Sequence, residues 1–423
     1  MCVVMYVLPS KVTRHSLDMY EFPEGITSLD CSGHDLTSLV GCPNTVTTLI
    51  CSDNNLTSLV GCPNTVTSLN CGNNNLTSLV GCPNSVTTLK WYSNNLTSLV
   101  GCPNSVTTLD CSYNNLTSLE GCPNGVTSLN CRDNKLTSLV GCPNGVTSLN
   151  CSSNRITSLV GCPSMVTSLS CHKNRITSFE GCSQVLGLKE LDCENNLFTT
   201  LEGCPTSLWK LWCGSPSLVS LVGCANGITF LTCTGSGLTS LEGAPESVTE
   251  LWCSSNPLQN LKGCPASVTE LLCSRCELTS LEGCPQNLVL LDCHNNKLSS
   301  LAGCGDRINN LQCYSNMLTS FEGFPTYARS ICCNHNMITS LVGCPKEVVS
   351  LWFHHNRVTS LDGCPPTVTH MNCSYNRLKS LIGCPSGIKQ LLCDRQDFKS
   401  TRDKERFYTR GLTHEQHIAI VHE

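Results

Sequence analysis

Cysteine is the residue type that first invites a chemical reading, at 36 of 423 positions, several times the ordinary usage. Thiols can bridge, ligate a metal or act as nucleophiles, and their spacing decides among these. Seventeen of them fall at one position of a twenty-residue spacing and sixteen at a second, leaving only Cys2, Cys276 and Cys332. Trp91 and Phe353 take the place of the first kind, and Ala244 and Phe324 that of the second. Such replacements describe an apolar slot, so the cysteines read as buried small hydrophobes. A zinc site needs four convergent ligands. The only C-x-x-C, Cys273 to Cys276, has no second pair at finger-like spacing, and neither metal nor cofactor is expected. Histidines at His294, His354 and His355 offer polar contacts; the adjacent pair should point to different sides, a poor arrangement for a metal. No Ser-His-Asp spacing, nucleophile elbow, phosphate loop or His-Glu motif stands apart from the repeated pattern, so the chain reads as non-enzymatic.

What positions these residues is a repeat. Shifting the chain by 20 superposes almost everything between Ile26 and Phe398, which takes precedence over local propensity. In the unit from Val66 to Ser85, apolar residues occupy positions 1, 4, 6, 11, 14 and 17, with Asn at 9 and Pro at 18. Nineteen such units run from the one containing Cys31 to the one containing Cys393, with a two-residue insertion within Ser183 to Leu188; we expect a convex loop to absorb it. Alternation from position 2 to 8 should make a short strand, and stacked strands a parallel sheet. Equivalent cysteines on adjacent strands then stand about 4.8 Å apart, beyond the roughly 3.8 Å a disulfide prefers, and should stay reduced. Twenty residues with a Pro leave no room for a full helix on the return limb, which should be extended, polyproline-like or 3-10.

The pattern L-x-x-L-x-L-x-x-N-x-L, here with Cys at the sixth position and ending L-x-x-L-x-G-C-P, resembles the leucine-rich repeat family, in particular its twenty-residue bacterial subtype. The resemblance covers about nine-tenths of the chain and implies a leucine-rich repeat solenoid whose parallel sheet lines a concave face. The Cys-for-Leu variant also resembles leucine-rich repeat proteins of large DNA viruses of amoebae, marseillevirus-like ones especially. That would imply a host protein as ligand and a host-cytoplasmic or virion location. Bacterial members sometimes carry a separate ubiquitin-ligase domain; the residues outside the array leave no room for one, so an adaptor serving a separate ligase remains an alternative.

Position 9 reads as a structural ladder. Asn54, Asn74, Asn94, Asn114, Asn134, Asn154, Asn174, Asn196, Asn256, Asn296, Asn316, Asn336, Asn356 and Asn376 occupy it. An inward amide can donate to carbonyls freed by the turn and accept from backbone amides. His34, Pro216, Ser236, Cys276 and Gln396 are the exceptions, three of them between residues 216 and 276, the least regular stretch.

Function should sit on the concave positions 3, 5 and 7. Before the insertion positions 3 and 5 are mostly Ser, Thr, Asn and Asp, with Lys90 the main exception. After it, position 5 carries Trp212, Trp252, Leu272, Trp352 and Leu392, and position 3 carries Glu190, Lys210, Phe230, Glu250, Glu270, Leu290 and His370. Aromatics among scattered charges are the composition of protein-binding hot spots. The expected function is therefore a protein-interaction module working through the concave face of the carboxy-terminal half, with Trp212, Trp252, Trp352, Phe230, Lys210, Glu250, Glu270, Leu272, Leu290, His294 and His354 as its contacts. A structural or virion component whose repetitive surface simply packs is the rival reading.

The flanks read as caps, residues 1–25 and a basic tail over residues 397–423, around an array over residues 26–396. In the tail, Thr413-His414-Glu415-Gln416 resembles a capping box opening a short helix. The apolar start lacks a basic segment and reads as mature sequence. A net charge of -5 gives no footprint for nucleic acid, and no apolar run is long enough to span a membrane. The expectation is a cytoplasmic monomer with a protein partner, neither nucleic acid nor membrane. The sequon at Asn55, Asn75, Asn95 and Asn115 then reads as a by-product of the repeat.

Overall fold

The computed structural model describes residues 5–9, 15–394 and 396. The basic tail with its expected helix at Thr413, and residues 1–4 and 10–14 of the amino-terminal flank, lie outside them. The chain divides into two compact units, the first Met1–Phe198 with Glu202–Trp212, the second Thr199–Leu201 with Cys213–Glu423.

Each repeat contributes one strand of three residues, at positions 3 to 5, and within each unit the strands pair parallel with the equivalent strand of the next repeat. In the first unit the ladder begins at Met5–Val7, paired Met5 to Ser28, and ends where Asp192 faces Trp212. In the second it runs from Phe230–Thr232 to Gln390–Leu392. The strands are shorter than the sequence alternation suggested. Backbone bonds between repeats nevertheless continue past the strands, Cys71 amide to Lys90 carbonyl and Asn73 amide to Tyr92 carbonyl, as far as position 8, where residues such as Asn73 and Asp133 are held at φ 51° and 53°, a left-handed conformation that ends the extended run. The amino-terminal flank supplies an extra strand and a 3-10 turn at Leu17–Met19, whose Asp18 amide donates to the Val40 carbonyl.

The core is a set of columns. Val66, Leu69, Cys71 and Leu76 are at most 1% exposed, and the same positions are buried repeat after repeat because each unit walls in its neighbour. The return limb consists of two tight turns per repeat, such as Cys82 amide to Leu79 carbonyl and Val86 amide to Pro83 carbonyl. The third residue of the first turn is a glycine in the left-handed region, Gly81 at φ +89°, where an added Cβ would lie 2.5 Å from the Leu59 carbonyl carbon. The side-chain-free residue is what lets successive turns stack.

The two-residue insertion is absorbed outside the sheet. Ser183 and Val185 close turns onto Phe179 and Cys182, and Glu190 still pairs in register with Ser168. The core there adapts by stacking Phe179 on Phe198, ring centroids 4.5 Å apart. Across residues 230–290, where position 9 is irregular, the strands keep their register.

Candidate functional site

The asparagine column is built into the turns. Asn134 donates through Nδ2 to the carbonyls of Cys111, Cys131 and Arg132 at 3.0, 3.1 and 3.2 Å, while its Oδ1 accepts the Leu116 amide at 2.9 Å. Asn54, Asn74, Asn94, Asn114, Asn154 and Asn174 donate to their own and the preceding turn in the same way, as does Asn196. Where the amide is missing, other groups take part of the role. Gln396 donates to Cys373 and accepts from Leu378, Ser236 accepts from the Ser215 amide, and Cys276 directs its thiol at the Cys253 and Ser274 carbonyls.

The two cysteine columns differ in depth. Position 6 is fully buried, as in Cys51, Cys111 and Cys131, whereas position 17 varies, half-buried in Cys62, Cys82 and Cys102 and buried in Cys182 and Cys284; none of these eight is bridged. Burial pushes the thiols well above their ordinary range, Cys82 and Cys122 to about 12, so thiolate chemistry is suppressed. Among the described residues no group of three or more His, Cys, Asp or Glu is placed to hold a metal.

In the first unit, Trp212 and Lys210 share a strand paired with Glu190–Asp192. Trp212 is half-buried and, with Ser168, Leu169, Ser170, Glu190 and Asp192, lines an open hollow of about 220 Å³. Asp192 is held by His172 at 2.8 Å and by Ser170 at 3.0 Å. Glu194, two residues on, has its carboxyl pushed up by burial and by Asp192. Lys210 turns away from this acidic strand and sets its ammonium 4.4 Å from the Trp209 ring centroid. Trp209, which concave-position reasoning passed over, is the more exposed indole at 41%.

The second unit brings together Phe230, Trp252, Glu250, Glu270, Leu272 and Leu290. Phe230 meets Trp252 edge to face at 5.0 Å, and Trp252 stays 37% exposed. Glu250 and Glu270 are in register on adjacent strands, and neither forms an ion pair among the described residues. Like charges side by side on a ladder repel, so this face has an unneutralised negative surplus beside its aromatic pair.

Trp352 and His354 lie elsewhere in that unit. The strand of Trp352 is five rungs from that of Trp252, roughly 24 Å at ordinary strand spacing, and its indole donates back to Ser350 at 2.7 Å. His354 belongs to a cluster that single-position reading missed. His335 and His355 stack at 4.2 Å, His355 and Tyr375 at 4.0 Å, and His354 meets His355 edge to face at 5.6 Å rather than pointing apart. All three stacked rings occupy position 8, so the signal was the column His335, His355, Tyr375 at steps of 20. His354 Nδ1 is buried without a hydrogen-bond partner; burial, with the two neighbouring imidazoles, holds its pKa down to about 4. His294 bonds to Asp292 and stacks on Tyr314 at 4.2 Å. The predicted contacts therefore form separate groups: one strand pair in the first unit, and in the second an aromatic-acidic patch around Trp252 and an imidazole-phenol column near Trp352.

No protein-family model matches the sequence and no curated protein matches it. Solved structures do. YopM from Yersinia enterocolitica WA-314 is 25% identical, with a TM-score of 0.64 over 88% of each chain. The functional domain of InlJ from Listeria monocytogenes, described as including a cysteine ladder, is 25% identical with a TM-score of 0.53 over 76% of this chain and 70% of that one. The chain has the leucine-rich repeat fold: parallel strands, one per repeat, in about nineteen turns, with almost no helix among the described residues.

Proposed function

We infer that this protein is a non-enzymatic protein-binding module and that its contact surface is the patch around Trp252. The observation that carries the reading is the pairing of a partly exposed indole, itself packed on Phe230, with two in-register carboxylates that have no cationic partner. Nothing in the core requires an aromatic at a sheet position that faces outward. Desolvated aromatic anchors ringed by charge are the residues that dominate binding energy, and the surplus at Glu250 and Glu270 favours a partner with a basic surface. Leucine-rich repeat folds generally serve protein recognition, which supports the class of function. The partner we propose is a host protein, the ligand that the resemblance to leucine-rich repeat proteins of large DNA viruses implies.

Affinity purification from cell lysate tests it with three forms of the chain: unaltered, Trp252→Glu, and Val342→Glu, whose parent valine is 69% exposed at an outward turn position. Circular dichroism must first show that all three fold alike. A protein retained by the unaltered chain and by Val342→Glu but lost by Trp252→Glu is the expected result. Equal recovery on Trp252→Glu would remove the patch from the contact surface.

A further inference from the structure

The first unit concentrates positive charge at a place that none of the groups above uses. On a chain of net charge -5, the stretch from residue 134 to 179 contains Lys135, Arg155, Lys173 and Arg175 and not one Asp or Glu. All four residues are exposed, and among the described residues none of them forms an ion pair. Their placement follows from the repeat. Lys135, Arg155 and Arg175 occupy position 10 of successive units, and their amides donate to the Leu116, Leu136 and Ile156 carbonyls at 2.8 Å each. The backbone therefore sets three cations in one column, about 4.8 Å apart from rung to rung. Lys173, at position 8 of the last of these units, is held at φ 53° and adds a charge two residues from Arg175.

The neighbouring groups leave this strip positive. Asp133 is taken by Arg132 at 2.6 Å, and the Arg132 guanidinium carbon lies 5.7 Å from the centroid of the Tyr113 ring. His172 is turned to Asp192 at 2.8 Å. Glu180 stands at position 15, on the return limb. The column has definite ends, because position 10 is Asn115 on one side and Leu197 on the other. Beside it runs a second column of exposed residues at position 12, the hydroxyl-bearing Thr137, Thr157 and Thr177. Like charges in register on adjacent rungs repel one another, so the strip stores a repulsion that a multiply charged anion relieves.

We propose that this strip is a binding site for clustered phosphates: a soluble molecule or a lipid headgroup that carries two or more phosphate groups close together. The guanidinium forks of Arg155 and Arg175 suit paired phosphate oxygens, and Lys135 and Lys173 add point charges on either side of them. Three rungs span only about 10 Å, the size of a compact polyanion. A nucleic-acid strand laid along the array would outrun the strip, reaching uncharged Asn115 in one direction and the rung of Asp192 and Glu194 in the other. A single phosphate would engage one or two rungs and leave the rest of the repulsion in place. The site does not rest on the Trp252 patch.

Isothermal titration calorimetry of the full chain with inositol hexakisphosphate, at about 0.15 M salt, tests the proposal. One saturable site per chain is expected, with inorganic phosphate bound at least about tenfold more weakly. Arg155→Asn with Arg175→Asn should weaken the hexakisphosphate about tenfold or more. Both changes should fold, because Asn95 and Asn115 occupy the same position of the repeat. Arg357→Asn, at position 10 in the second unit, should leave the affinity unchanged. Cosedimentation with phosphatidylcholine vesicles distinguishes the sources. Capture by vesicles containing a phosphatidylinositol bisphosphate, and not by charge-matched phosphatidylserine vesicles, supports the site with a lipid headgroup as its ligand; binding of the hexakisphosphate without capture by either supports it with a soluble one. No saturable binding up to about 1 mM, an affinity untouched by the double change, or an equal loss in Arg357→Asn would each overturn the proposal. So would equal capture by the two kinds of vesicle, or tighter binding of a single-stranded oligonucleotide at equal phosphate concentration.

Discussion

Asn134 shows how much one side chain does in this fold. Its amide serves three carbonyls of two successive turns and accepts a fourth bond from Leu116, so truncation leaves several buried groups without partners. Asn134→Ala should cost about 1 to 3 kcal/mol or more, read as a drop in the urea midpoint with an unchanged slope; a change within error would mean water or local relaxation satisfies the turn. His354 makes a pH prediction. Its folded pKa is near 4 against an ordinary 6.5, lowered by burial and then by His335 and His355. As pH falls through 6.5 the unfolded chain takes up a proton that the folded chain refuses, so stability is present above that pH and declines until about 4. Comparing urea midpoints of the parent and His354→Gln at pH 7, 5.5 and 4.5 isolates the contribution from that of the carboxylates. The parent should lose more stability than the variant across this window, and parallel losses would refute the assignment. This imidazole cluster was only partly legible in the sequence. His354 was visible as an outward position, but the stack depends on a left-handed residue at position 8 that aims His335, His355 and Tyr375 along one line.

At the scale of the element, strand and turn were unequally readable. The alternation and the shift by 20 residues located the strand of each repeat, because burial of positions 1, 4, 6 and 11 leaves only one face of the chain available to a neighbour, but not the added strand Met5–Val7, which lies outside the repeat. Strand length was less legible: the pattern suggested positions 2 to 8, whereas the regular strand covers positions 3 to 5, with single backbone bonds between repeats continuing to the left-handed residue at position 8. The return limb is held by the glycine at position 16. Gly61 sits at φ +95° with a virtual Cβ only 2.5 Å from the Val40 amide nitrogen, so Gly61→Ala meets both an unfavourable backbone conformation and a backbone clash. We expect a loss of at least about 1 kcal/mol in thermal or urea unfolding. A neutral result would mean that the turn can open without disturbing the stack.

For the molecule as a whole, the periodic core makes repeats interchangeable. Each repeat is walled by its two neighbours alone, so removing one complete period, residues 107–126, should rejoin equivalent positions and preserve the fold, with the far-ultraviolet spectrum unchanged and only a modest shift in unfolding. Removing half a period, residues 107–116, should abolish cooperative unfolding, since it sets outward residues into the core column. If both deletions behave alike, the stability is not carried by register. The fold was determined by the sequence on its own, because in a repeat every apolar position is repeated evidence for the same burial, and the asparagine column marks the turn after the strand in most repeats. The candidate sites depend on what repetition does not encode. Only the tertiary structure decided that Trp352 folds back on Ser350, that Lys210 covers Trp209 instead of meeting Glu190, and that Phe230 props up an exposed Trp252. Those outcomes depend on rotamers and on distances between rungs, whereas a periodic sequence specifies only which face of the chain each residue occupies.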